Sequence, residues 1–115
     1  MTLSIANREI TPPVLLAPLA GITDLPFRNL VSGFGAGLVV SEMIASGEFL
    51  TSRPGTLEKA ELGARIDNTS VQIAGREPGP MAEAAKMVAD MGARVIDINM
   101  GCPAKKVTGG WSGSA

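Results

Sequence analysis

Histidine and tyrosine are absent from this chain, and cysteine occurs once, at Cys102. A single cysteine excludes an intramolecular disulfide framework, and without imidazoles it excludes the usual zinc sites. It also leaves no imidazole base to activate a Ser or Cys nucleophile. Aromatic side chains are limited to Phe27, Phe34, Phe49 and Trp111, so the core is expected to be aliphatic and rich in Ala and Gly. Charge of either sign is in short supply: 10 Lys and Arg stand against 11 Asp and Glu, a net charge of −1. That balance carries no footprint of bulk electrostatic binding to nucleic acid, and any RNA contact has to be local. No apolar run approaches the roughly 18 residues of a membrane-spanning helix. Nor does the start, Met1 to Ile10, have the basic-then-apolar pattern of a signal peptide, so no membrane association is expected and the cytoplasm is the expected compartment. With 115 residues, the chain suffices for one small domain.

What is present centres on the C-terminal stretch Val95-Ile-Asp-Ile-Asn-Met-Gly-Cys-Pro-Ala-Lys-Lys-Val107. Val95 to Asn99 reads as a short buried strand, an apolar run closed by a turn signal. It delivers Cys102 to a strand's C-terminal tip, where parallel α/β proteins hold ligands and do chemistry. Gly101 permits close backbone approach, and Pro103 restrains Cys102.

Upstream, residues 2 to 11 read as a small hairpin around Asn7-Arg8, followed by the break Pro12-Pro13. Val14 to Ala17 is a first buried strand, ending in Pro18-Leu-Ala-Gly-Ile-Thr-Asp24. Thr23 or Asp24 caps the next helix, with Pro26 in its first turn. Phe27, Leu30, Val31 and Phe34 form an apolar stripe at helical spacing, and Gly33, Gly35 and Gly37 stop the helix. Leu38 to Met43 is a second buried strand. Ile44 to Ile66 is irregular, with one short helix and a surface excursion around Arg53-Pro54-Gly55. Ser70 to Ala74 is a third strand, and a helix from near Pro80 buries Met81, Ala84, Ala85 and Val88 before Gly92 ends it. Strands alternating with helices demand right-handed crossovers and a parallel sheet. Strand starts near residues 14, 38, 70 and 95 suit either a (β/α)8 barrel or an open doubly wound sheet.

If the strands are parallel, one rim collects Pro18, Leu19, Ala20 and Gly21, then Glu42 and Met43, Gln72, and Asn99 with Cys102. This set holds no nucleophile–base pair and no paired carboxylates. Amide groups, close-approaching backbone and a thiol suit a flat heteroaromatic cofactor read at its edge. Each residue also has a plainer reading. Cys102 alone is more often a small buried hydrophobe, Gln72 a strand cap, and Asp97 a buried hydrogen-bonded support for the rim. Lys105 and Lys106 are, on base rates, a solvated face, with phosphate contact the sharper reading. Trp111 is expected to pack on the rim rather than stack on a base.

Taken together, Ala17-Pro-Leu-Ala-Gly-Ile-Thr-Asp-Leu-Pro-Phe-Arg28, Ser41-Glu-Met43, Val71-Gln-Ile-Ala-Gly75 and Ile96-Asp-Ile-Asn-Met-Gly-Cys-Pro-Ala-Lys-Lys-Val107 resemble the tRNA-dihydrouridine synthases, most closely their bacterial B-type branch. The resemblance runs from residue 14 to 115. It implies an FMN-dependent TIM (β/α)8 barrel that reduces the C5=C6 bond of a uridine in tRNA with NAD(P)H. It further implies that Pro18, Leu19 and Ala20 line the flavin, that Gln72 bonds the isoalloxazine edge, and that Asn99 lies between flavin and substrate. Cys102 is implied as proton donor, a task for a thiol that still carries its proton at neutral pH, the ordinary state of cysteine. Leu19 stands where the family usually has Met, a volume-conserving exchange.

Because such a barrel takes about 250 residues, the chain is expected to be its N-terminal half, roughly four βα units. The rest of the barrel and a C-terminal helical RNA-binding domain would follow Ala115. A half-barrel alone is expected to expose its last strand, to hold little FMN, to be inactive and to aggregate or fold partially. Two other readings stand beside this one: an FMN barrel acting on a free pyrimidine, in the manner of dihydroorotate dehydrogenases, and a non-catalytic half-barrel module.

Overall fold

A computed structural model describes residues 2–51, 56–63 and 66–115. The chain opens with an antiparallel hairpin, β1 (Leu3–Ile5) and β2 (Arg8–Ile10), in which Leu3 faces Ile10 and Ile5 faces Arg8. Its turn is Ala6-Asn7, with Ala6 at φ 53°. The main fold follows as β3 (Leu15–Leu16), α1 (Leu25–Gly33), β4 (Leu38–Val40), β5 (Ile44–Ala45), α2 (Ser46–Leu50) and α3 (Thr56–Lys59). A short 3-10 turn (Ile66–Asn68) then leads into β6 (Thr69–Ala74), α4 (Pro78–Asp90), β7 (Val95–Ile98) and α5 (Lys105–Thr108). The expected excursion at Arg53-Pro54-Gly55 lies outside the described residues.

Every pairing in the main sheet is parallel: β3 with β4, β4 and β5 with β6, and β6 with β7. β4 and β5 are two pieces of one stave. Val40 pairs with Ser70 and Ile44 with Ile73, so the stave carries one extra residue at Ser41-Glu42-Met43, as in a β-bulge. The staves therefore lie side by side in chain order. A doubly wound sheet places its halves on either side of a switch point; this order does not, and it is consistent with part of a β/α barrel.

Successive strand residues face opposite sides of the sheet. Val71, Ile73 and Ile96 point to the helix layer, where they pack with Ile44, Phe49, Ala60, Leu62, Ala84 and Val88. Phe49, Ala84 and Val88 are completely buried, and α4 presents the face that its periodicity predicts. The other side carries Leu38, Val40, Ser70, Gln72, Val95 and Asp97; all of these but Gln72 line a hollow of about 430 Å³, with Ile5 of the hairpin against it.

Two expectations are corrected. The apolar stripe of α1 is not its buried face: Leu30 and Phe34 are 58% and 83% exposed, whereas Arg28 and Ser32 are buried. The helix turns its polar side inward because that side meets backbone carbonyls, which an apolar face leaves unpaired. The first strand is also less buried than expected, with Leu15 43% exposed, whereas Ile98, 54% exposed, agrees with the exposure expected of the last strand of a half-barrel. Among the described residues each has a sheet neighbour on one side only.

Candidate functional site

Parallel strands in chain order bring the loops after β3, β4 and β7 to one rim, and each loop is pinned by a side chain. In the first, Asp24 is the N-cap of α1, its Oδ1 accepting from Phe27 N at 3.0 Å. Thr23 instead turns inward, fully buried, where its Oγ1 accepts from Leu19 N at 3.0 Å and donates to Leu19 O at 3.2 Å. Gly21, at φ +74°, donates its N–H to Glu42 Oε1 from the bulge. Positive φ at this turn suits glycine.

Arg28 anchors this loop from below. It is 1% exposed, and its guanidinium donates to Thr23 O at 2.6 Å and to Glu61 O. Burial pulls its pKa below the ordinary arginine value, opposed by the nearby charges of Glu42, Asp24 and Glu61. Those carboxylates are what keep a buried cation tolerable. Sequence reading placed Arg28 in a motif without giving it a task. The available signal was a cation on the otherwise uncharged helix that follows Asp24.

Gln72, 6% exposed, and Asp97 face each other across β6 and β7. Gln72 Nε2 donates to Asp97 Oδ2, and Gln72 Oε1 accepts from Asn99 Nδ2 at 3.2 Å. Asn99 Oδ1 in turn accepts from both Gly101 N and Cys102 N, each at 3.0 Å. Asp97 thus takes the supporting position, and Asn99 shapes the loop that carries Cys102. The half-buried Cys102 is also held from behind: its carbonyl accepts from Ser114 N at 3.1 Å and from Ser114 Oγ at 3.3 Å. A Cβ at Gly113, where φ is +63°, would lie 2.3 Å from that carbonyl, so the C-terminal turn closes on this loop only with glycine there.

The remaining expected residues divide. Pro18 lines the hollow, whereas Leu19 and Ala20 are exposed at the rim. Lys106 joins Lys59 and Arg76 in a second cleft of about 590 Å³ beside the rim, which also contains Glu48 and Glu77; Lys105 is exposed. Trp111 does not pack: it is 71% exposed. Each amide in the network also keeps one N–H beyond its bond to a neighbour. Pro18 and Asp97 line the hollow, and the amides of Gln72 and Asn99 are tied to Asp97 beside it; spare amide donors next to such a hollow are groups that suit the edge of a flat heteroaromatic ligand.

No helix among the described residues is long and apolar enough to cross a membrane. The profile of a protein family, dihydrouridine synthase, matches residues 15–115. A probable tRNA-dihydrouridine synthase of Rhodobacter capsulatus is 69% identical over all of this chain and 36% of its own length. One from Rickettsia conorii is 55% identical over 98% of the chain and 34% of its own length. The tRNA-dihydrouridine synthase B of Xanthomonas axonopodis pv. citri is 50% identical, again over 98% of the chain and 34% of its own length. The chain spans about a third of the length of these curated relatives.

Proposed function

The chain belongs to the dihydrouridine synthase family, and from that premise we propose that it forms the N-terminal half of the catalytic barrel of a tRNA-dihydrouridine synthase. The complete enzyme closes a TIM (β/α)8 barrel and reduces the C5=C6 bond of a uridine in tRNA. One observation carries the reading: an amide network from Asp97 to Asn99 ends on the backbone of Cys102, at the rim where a parallel sheet holds its ligands.

Pro18, Leu19, Ala20, Gln72 and Asn99 would hold FMN, the backbone of the first loop beside it and the two amides at its edge. FMN, when bound, supplies a hydride that originates in NAD(P)H. Cys102 gives its thiol proton to C5 of the base. No imidazole is needed, because a thiol acting as an acid begins protonated. The uridine leaves its stack to reach the rim, at the cost of a few kcal/mol of unstacking. Lys106, with Lys59 and Arg76 in the adjoining cleft, contacts neighbouring phosphates, while most RNA affinity belongs to the helical domain outside this chain.

In the full-length enzyme, Cys102→Ala is expected to keep the yellow flavin and lose most turnover on tRNA. Wild-type turnover in that variant removes Cys102 from the reaction. Turnover on free orotate or uracil in place of tRNA would favour the free-pyrimidine reading.

A further inference from the structure

We propose that Asp97 is a positioning residue that sets the direction of the whole amide chain and so fixes the loop presenting Cys102. The inference rests on the reading above for its link to catalysis, but its geometry stands by itself. A side-chain amide can be turned end for end with almost no change of shape, so its orientation comes from its partners. Here the two ends of the chain leave no freedom. A carboxylate only accepts and a backbone N–H only donates. Asp97 therefore requires the NH₂ group of Gln72, which turns Oε1 toward Asn99. That oxygen requires the NH₂ group of Asn99, which turns Oδ1 toward Gly101 and Cys102. The two N–H donors of the loop require the same answer from the opposite end. Asp97 supplies the charge-assisted bond of the series, the stronger kind, while remaining a full strand residue away from the loop it controls.

The ordering suggests a swap that a role in shape alone would not reward. Gln72→Glu is nearly isosteric, but it sets two acceptors against each other at positions 72 and 97 and breaks the chain. Adding Asp97→Asn restores it. Asn at 97 donates to the carboxylate at 72, which still accepts from Asn99 Nδ2, so Asn99 Oδ1 again faces the loop. Asp97→Asn alone keeps an acceptor at 97 but loses its charge.

The test is hydrogen exchange of the peptide spanning residues 99–104 in the full-length protein, with the α1 peptide as a control for global opening. Gln72→Glu is expected to speed exchange of the loop about tenfold, the loss of one hydrogen bond, and Asp97→Asn alone a few fold. The double variant is expected to return within about threefold of wild type. If Gln72→Glu does not fold, recovery of folding in the double variant is the same rescue. Unchanged exchange in Gln72→Glu, or a double variant no better than it, overturns the proposal. Turnover per bound flavin on tRNA is read in Asp97→Asn, which leaves the amides at positions 72 and 99 in place, and is expected to fall a few fold with the loop. Faster loop exchange with unchanged turnover per flavin in Asp97→Asn overturns the positioning role. If wild-type protein shows no turnover on tRNA while the exchange pattern holds, the functional reading fails and the directional network stands.

Discussion

Arg28→Met in the full-length protein isolates what one buried cation does for the first rim loop. Methionine keeps the apolar stem, so packing along the side chain changes little; what is lost is the guanidinium. It donates to Thr23 O and Glu61 O, and charge-assisted bonds of this kind contribute about 1.5–3 kcal/mol each. Opposing that loss, the variant no longer holds an arginine at 1% exposure, and desolvation of such a charge costs several kcal/mol. The first effect wins because the two carbonyls stay where they are. Thr23 O is left buried without its donor, at about 1–3 kcal/mol for an unsatisfied group, and the link from the loop to Glu61 is cut. The net expectation is a loss of about 2–3 kcal/mol, a large share of a typical 5–15 kcal/mol. Urea unfolding measures it as a lower midpoint at unchanged slope. Arg28→Lys is expected to fall nearer to Met than to wild type, since a single nitrogen does not span carbonyls on two segments. A loss under about 0.5 kcal/mol in Arg28→Met would refute the reasoning, showing that the relieved desolvation cancels both bonds.

Phe49 is fully buried in the helix-side core, so Phe49→Ala is expected to cost about 3–5 kcal/mol in the same unfolding assay. Gly113→Ala meets the Cys102 carbonyl at 2.3 Å and a φ of +63°; it is expected to lose turnover while the flavin spectrum stays, and equal turnover would detach this turn from the site. Expressed alone, the 115-residue chain exposes Leu30 and Phe34, and Leu30→Lys with Phe34→Lys is expected to raise its soluble yield. An unchanged yield would mean that another surface, such as the open edge of β7, drives association.

Patterns confined to neighbouring residues decided much of this protein from sequence. The strand at Val95–Ile98, the glycine and proline around Cys102, the cap at Asp24 and the buried stripe of α4 all follow from local chemistry: alternation, backbone freedom and helical spacing. The motifs at residues 17–28 and 96–107 also carried the family. Tertiary structure decided the rest. Whether the sheet is barrel-like or doubly wound depends on which strands become neighbours, and periodicity within a strand says nothing of its neighbour. The buried side of α1 went to Arg28 rather than to Leu30 and Phe34 because a carbonyl of the preceding loop, Thr23 O, and one from the distant Glu61 converge there. The order Asp97, Gln72, Asn99, Cys102 likewise needs β6 and β7 side by side in one register. In sequence these are an acid, two amides and a thiol; only their pairing gives the row of hydrogen bonds a direction.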